Sequence, residues 1–256
     1  MLRVLVFSTL YPNQAQPNHG VFVENRLRHT LAQGGIDATV LAPVPWFPSR
    51  NPAFGRYAQF AGVPRQETRH GLTIYHPRYP VIPKVGSRFT PAFLYRAARR
   101  ALDRMARAGV PKFDLIDAHY FYPDGVAAAR LARDLNIPLL ITGRGTDLTL
   151  IPQSAPERAQ IQWAGRQASG MITVCEDLRQ KLVGLGETAS RVVTLRNGVD
   201  LKRFSPGDRA AARAKLGLEG FTLLSVGSLI PRKGHELIIG ALAELPDMTL
   251  MIAGSG

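Results

Sequence analysis

Cysteine is nearly missing: Cys175 is the only one in 256 residues. One thiol cannot close an internal disulfide, which excludes a disulfide-framed scaffold and fits a reducing compartment. Cys175 ends the apolar run GMITVC with no histidine near it in sequence, so it reads as a core residue and not as a nucleophile. Acidic residues are scarce as well, 19 Asp and Glu against 32 Lys and Arg, for a formal net charge of +13. Such a chain attracts anions, which include nucleotide phosphates, nucleic acid and acidic membrane surfaces. Long apolar runs are absent too. Nothing approaches the roughly 18 residues of a membrane span, and MLRVLVFSTLYP has too short an apolar core, and no small-residue cleavage pattern after it, to be a signal peptide. No strand exit carries G-x-G-x-x-G, which argues against a dinucleotide-dependent dehydrogenase. The arginines are spread over many helical stretches without interleaved aromatics or a reading motif, which argues against a nucleic-acid partner.

What is present is a rhythm. With 45% hydrophobic residues the chain can bury a sizeable core. Short β-branched runs alternate with helical patterns, as in βαβ units around a parallel sheet. RVLVFST (3–9) precedes GVFVENRLRHTLAQGG, where Val21, Leu27 and Leu31 are read onto one helical face before a Gly-Gly stop. DATVLAP (37–43) and LTIYHP (72–77) read as strands, with an irregular proline- and aromatic-containing stretch between them. From Pro91 a helix follows, with Phe93, Ala97, Leu102 and Met105 inward and arginines outward. FDLIDAHY, IPLLITG, GMITVCE and RVVTLRN read as further strands, separated by helices beginning near Asp124, Pro156 and Asp177.

Gly, Pro and Ser then cluster in GVDLKRFSPG (198–207), which marks a connection between domains. Ser205 and Pro206 read as the start of a helix over DRAAARAKLG. A new alternation opens with FTLLSVG and continues to MTLMIAG. The expected partition is 1–200 for a first domain, 201–218 for the connection and 219–256 for part of a second. Two strands and one helix would leave a broad apolar face uncovered, so the last segment reads as the beginning of a domain.

The turn in VGSLIPRKGHEL puts Gly227 at a strand exit, with Arg232, Lys233 and Gly234 before a helix. Ligands of parallel sheets bind beyond the carboxyl ends of strands, where helix amino termini point their N–H groups. Two readings stand: an anion site for phosphate, with Lys233 and Arg232 adding charge, or a solvated helix cap. It is not a Walker A loop, because Arg232 and Gly234 occupy the places of its Gly and Ser or Thr.

YPNQAQPNHGVFVENRL, DAHYFYPDG, TGRGTD, LRNGVDLKRFSP and VGSLIPRKG occur in an order and spacing that resembles family 4 glycosyltransferases, and the likeness covers nearly the whole chain. Bacterial members that build surface polysaccharides, the teichuronic acid type among them, are especially similar. The resemblance implies an α/β fold of GT-B architecture: a complete amino-terminal Rossmann-like, acceptor-side domain with a parallel sheet, and the beginning of a second Rossmann-like, nucleotide-sugar domain. It implies a retaining transfer of sugar from a nucleotide diphosphate to a hydroxyl of a sugar or lipid-linked sugar acceptor. By that resemblance, Lys233 is the donor-phosphate lysine and Gly227, Arg232 and Gly234 surround it. The usual partner arginine after the strand-end glycine is Ser228 here, and Arg232 is the candidate replacement. Gly20 matches the glycine of the first βα loop, and His119 matches a histidine that positions the transferred sugar; its plainer reading is a satisfied strand-end histidine. Gly145 and Asp147 fit the acceptor-side motif in which Arg144 replaces a histidine, and Asp147 reads equally as a helix cap.

No cofactor or metal is implied, since the Asp-x-Asp grip of the other transferase fold is missing. Family members carry a glutamate pair farther along the donor domain, beyond where this sequence stops. The expectation is therefore either a truncated transferase or a non-catalytic half that binds acceptor or partner only. A cytoplasmic protein is expected, peripheral at the inner membrane surface, with the arginine-faced helix either simply solvated or resting on anionic lipid.

Overall fold

Runs with alternating exposure form strands and the periodic stretches between them form helices, in a computed structural model that describes residues 1–82 and 87–256. The chain divides into two units, Met1–Gly198 and Val199–Gly256. In the first unit the order begins β1 (Leu2–Phe7), α1 (Val21–Leu31), β2 (Ile36–Leu41), β3 (Val44–Pro45) and α2 (Arg56–Gly62). It continues through β4 (Gln66–Arg69), β5 (Leu72–Tyr75), β6 (Arg78–Tyr79), α3 (Thr90–Arg107), β7 (Leu115–His119) and α4 (Val126–Leu135). It closes with β8 (Leu139–Gly143), α5 (Thr146–Thr149), α6 (Ala155–Gln167), β9 (Gly170–Thr173), α7 (Glu176–Gly184) and β10 (Val192–Thr194).

Eight of these strands form one sheet in the order β10-β9-β8-β7-β1-β2-β5-β4. Every neighbouring pair is parallel except β4 with β5. From β1 the chain builds outward through β2 and β5, then returns to lay β7 on the other flank of β1. That reversal makes the carboxyl ends of β1 and β7 a topological switch point, where open α/β sheets form a crevice.

Period-two alternation divides the core. Leu5, Phe7, Ile116, Ala118 and Ile141 face α3, α4, α6 and α7 in one cluster, while Val4, Val6 and Val40 face α1 through Val23 and Leu27. Helix α3 buries Leu94, Ala97, Ala98, Ala101, Leu102 and Met105, with Phe93 partly covered. Leu94→Ala would cost about 2–5 kcal/mol at such a site. Cys175 is partly buried against the same cluster.

Three local expectations need correction. Val21 is 40% exposed, and the inward stripe of α1 is Val23, Glu24 and Leu27. Six residues separate Val21 from Leu27, which turns it roughly 120° off that stripe at 3.6 residues per turn. The stretch read as irregular holds β3, α2 and β4. The sequence of β4, QETR, has no apolar residue, and only its pairing with β5 makes it a strand. In the second unit, the helix after the connection is α8 (Arg209–Lys215), and its cap is Asp208, not Ser205 with Pro206. Asp208 accepts the N–H groups of Ala210 and Ala211 at 2.8 and 3.1 Å, satisfying donors that the helix itself leaves open.

The rest of the second unit is β11 (Phe221–Val226), α9 (His235–Ala241) and β12 (Met248–Ala253), with β11 and β12 parallel in register from Phe221↔Met248 to Val226↔Ala253. Phe221, Leu224, Val226 and Leu237 are all more than half exposed.

Candidate active site

At the switch point, the segment after β1 is tied to the segment after β7. Thr9 donates its backbone N–H and its hydroxyl to the two carboxylate oxygens of Asp124, the hydroxyl at 3.0 Å. Ser8 donates to the carbonyl of His119 at 3.3 Å. Asp124 is fully buried, and burial pushes its pKa up to about 7 despite the donors from Thr9. Gly20 sits just before α1 with φ 68° and ψ 25°. A β-carbon there would lie 2.3 Å from the carbonyl carbon and oxygen of Leu10, so glycine is demanded both by the dihedral and by the approach of backbone to backbone.

His119 ends β7 with its ring buried. Arg144 Nη2 lies 2.9 Å from Nδ1. A guanidinium can only donate, so Nδ1 accepts, and the ring is the neutral tautomer whose Nε2–H faces Asp117 Oδ2 at 3.4 Å. Burial lowers the pKa of His119, and the pull of Asp117 does not restore it. Burial pushes the Asp117 carboxyl up, yet His119, Arg26 and Arg144 together hold it below the usual range. Both nitrogens of His119 are engaged, one by Arg144 and the other by Asp117. The plainer reading, a satisfied strand-end histidine, is what the hydrogen bonds show.

Arg144, in the loop after β8, also donates from Nη1 to Asn197 at 3.0 Å and lies 5.0 Å from the centroid of the Phe22 ring. Its Nε is buried without a partner. Burial, followed by the nearby Arg26, lowers its pKa to about 10. Arg26 reaches from α1 to Thr142 Oγ1 at 3.1 Å. Asp147 accepts backbone N–H groups from Phe121, Arg144 and Gly145 at 2.8, 3.0 and 2.7 Å. It holds the TGRGTD loop in shape from inside α5, whose N-cap is Gly145, so Asp147 is not the helix cap that the sequence suggested. Asp117 could have been found from its position two residues before His119 on one strand face. Arg26, Phe22 and Asn197 lie within the motifs YPNQAQPNHGVFVENRL and LRNGVDLKRFSP, but nothing local singles them out, because they converge on Arg144 only through the fold.

In the second unit, Pro231–Lys233 forms a 3₁₀ turn and Gly234 takes φ 68° before α9. A β-carbon at Gly227 would sit 3.4 and 3.5 Å from Cδ and Cε of Lys233, so the lysine stem lies across this glycine at the end of β11. Both Arg232 and Lys233 are exposed, and neither pairs with a carboxylate among the described residues. His235 is buried and pins the turn, with Nδ1 2.9 Å from Ser225 Oγ and Nε2 3.1 Å from the Ser228 carbonyl oxygen. Among the described residues, no group of three His, Cys, Asp or Glu could hold a metal, and no helix is long and apolar enough to cross a membrane.

The model of Glycosyltransferase Family 4 matches residues 22–203. The chain belongs to that family. It is 28% identical over 252 residues to a protein of Bacillus subtilis (strain 168) named as a teichuronic acid biosynthesis glycosyltransferase, TuaC, covering 96% of this chain and 63% of that one. It is 29% identical over 215 residues to the D-inositol 3-phosphate glycosyltransferase of Rhodococcus jostii (strain RHA1), covering 78% of this chain and 47% of the relative. Among solved structures, sucrose-phosphate synthase of Thermosynechococcus elongatus aligns with a TM-score of 0.71 at 19% identity, over 99% of this chain and 62% of that one. Anabaena HepE, in complex with UDP and glucose, aligns at 0.60 and 16% identity, over 100% and 61%. These likenesses confirm the GT-B fold expected from the family motifs. The chain spans less than two-thirds of the length of these family relatives.

Proposed function

We propose that the protein takes part in retaining transfer of a sugar from a nucleotide diphosphate to a hydroxyl acceptor in polysaccharide or glycoconjugate synthesis. The observation that carries this reading is Lys233, an exposed cation with no carboxylate partner among the described residues, laid over Gly227 at the carboxyl end of a parallel strand. The membership in Family 4 and the UDP named with HepE support a nucleotide-sugar donor. Departure of the diphosphate is the difficult event, and a cation aimed at the developing charge stabilises it. Arg232 stands beside Lys233 for the second phosphate contact, in the place left by Ser228. In the first unit, Gly20 lets the loop after β1 approach closely, and Asp147 shapes the loop that carries Arg144. His119 is a positioning group, held neutral between Asp117 and Arg144.

Calorimetry with UDP and UDP-glucose, set against GDP-mannose, tests the donor site. Lys233→Ala should weaken diphosphate binding about tenfold or more, the scale of a charge-assisted hydrogen bond; unchanged affinity removes Lys233 from this role. A second reading, a binding half without turnover, is favoured by the exposed apolar side chains of β11 and α9. Binding of donor or acceptor without release of nucleotide would select it.

A lipid-linked acceptor suits the outer face of α3. Arg96, Arg100, Arg104 and Arg107 follow one another at spacings that share a helix face, all exposed and none in an ion pair among the described residues. Arg99, beside them, is paired with Asp103 at 3.3 Å. Such a stripe attracts anionic lipid. Equal sedimentation with neutral and anionic vesicles would remove this contact from the proposal.

A further inference from the structure

Two guanidinium groups converge at the carboxyl ends of β7 and β8. Arg26 comes from α1 and is anchored on Thr142, and Arg144 is anchored on His119 and Asn197. The groups of opposite sign facing them are few. Asp117 feels the charge of both, with one oxygen near His119 and the other, Oδ1, buried and without a hydrogen-bond partner among the described residues. Asp147 is close, but it accepts backbone N–H groups of Phe121, Arg144 and Gly145. Asp124 is spent on Thr9. His119 is neutral. Among the described residues, one carboxylate therefore faces two cations; Arg26 makes one side-chain hydrogen bond, and the buried Nε of Arg144 makes none. Placing like charges side by side in a partly buried crevice is unfavourable unless something compensates them. The ring of Phe22, 38% exposed, lies against the guanidinium of Arg144, 5.0 Å from its central carbon to the ring centroid, a cation–π contact.

We propose that this pair is the specificity element for an acceptor that carries a compact oxyanion, a carboxylate or a phosphate, gripped by Arg26 and Arg144. The geometry suits planar forked donors meeting two or three oxygens on one centre. A neutral sugar would leave the second guanidinium uncompensated. The inference rests on the transferase reading only in calling the ligand an acceptor.

The test is binding of three probes, glucuronate, glucose 6-phosphate and glucose, to the protein without donor, followed by calorimetry or ligand-observed NMR. The two anionic sugars should bind about tenfold more tightly than glucose, the size of one or two charge-assisted hydrogen bonds. Preference for only one of them identifies the oxyanion as carboxylate or phosphate and supports the proposal. Arg26→Gln removes a partly buried side chain that makes one hydrogen bond among the described residues, and it should abolish most of the preference without unfolding the protein, as circular dichroism would verify. Arg144→Lys should weaken it, because an ammonium cannot form the fork. Lys233→Ala should leave the preference intact, which separates this site from the donor-phosphate site. Equal binding of all three probes, no binding of any, or a preference untouched by Arg26→Gln overturns the proposal. UDP titrated into the same samples reports on the transferase reading independently: absent UDP binding with intact anion preference would sink that reading and leave the arginine pair standing.

Discussion

Gly20 and Gly234 have nearly the same backbone, φ 68° with ψ 25° and φ 68° with ψ 23°, and each immediately precedes a helix at the carboxyl end of a parallel sheet. Their surroundings differ. A methyl group on Gly20 would collide with the Leu10 carbonyl at 2.3 Å, whereas one on Gly234 would meet only Leu237 Cδ1 at 3.6 Å. The same contrast runs through the charged groups. In the first unit Asp124, Asp147 and His119 are buried and interlocked, while Arg232 and Lys233 in the second are exposed. The same βα turn is thus built once as a packed, preorganised crevice and once as an open cationic turn. Packing fixes the position of a side chain in advance, whereas an exposed turn leaves its charged side chains to solvent.

The comparison is broken most severely at Gly20. Gly20→Ala should destabilise the protein by about 4 kcal/mol, combining the left-handed penalty with a backbone collision, and urea unfolding would measure it. A loss under about 1 kcal/mol would mean that the loop after β1 is as open as the second turn. Next comes the buried carboxylate. Asp124 has its folded pKa raised to about 7 from an ordinary 3.8. The folded protein therefore holds a proton that the unfolded chain releases, and the associated stability is complete below pH 3.8 and lost as pH rises through 7. Each pH unit inside that window costs about 1.4 kcal/mol, so wild type should lose about 3 kcal/mol from this group between about pH 4.5 and 6.5. Asp124→Asn should flatten that part of the profile. Parallel wild-type and variant profiles would show that Asp124 ionises normally. The smallest effect belongs to Gly234→Ala, about 1 kcal/mol for the dihedral alone. A cost as large as that of Gly20→Ala would erase the contrast.

Much of the fold was legible because burial imposes periods. The strands β1, β2, β7 to β9, β11 and β12 and the helix α3 all announced themselves by alternation or by a repeating apolar stripe. Strand β4 did not, since QETR is held by backbone pairing, which leaves no trace in side-chain hydrophobicity. The Asp208 cap was missed for a different reason. Ser205-Pro206 and Asp208 are both acceptable helix starts, and only the observed hydrogen bonds to Ala210 and Ala211 separate them. Among the candidate site residues, those on short motifs could be named from the sequence: Gly20, His119, Arg144, Gly145 and Asp147 in the first unit, and Gly227, Arg232, Lys233 and Gly234 in the second. Asp117 was recoverable from strand periodicity. Arg26, Phe22 and Asn197 were not, since each lies on a different element from Arg144.

By itself the amino-acid sequence determined the α/β alternation, the family and the turn that carries Lys233, because apolar period and motif spacing are local properties of the chain. Tertiary structure alone decided that His119 is a neutral brace, that burial raises the pKa of Asp124, and that the charge of Arg26 is brought near Arg144. Those outcomes depend on desolvation and on charges brought together from 118 residues apart, from 26 to 144, and neither quantity exists until the sheet has closed over its helices.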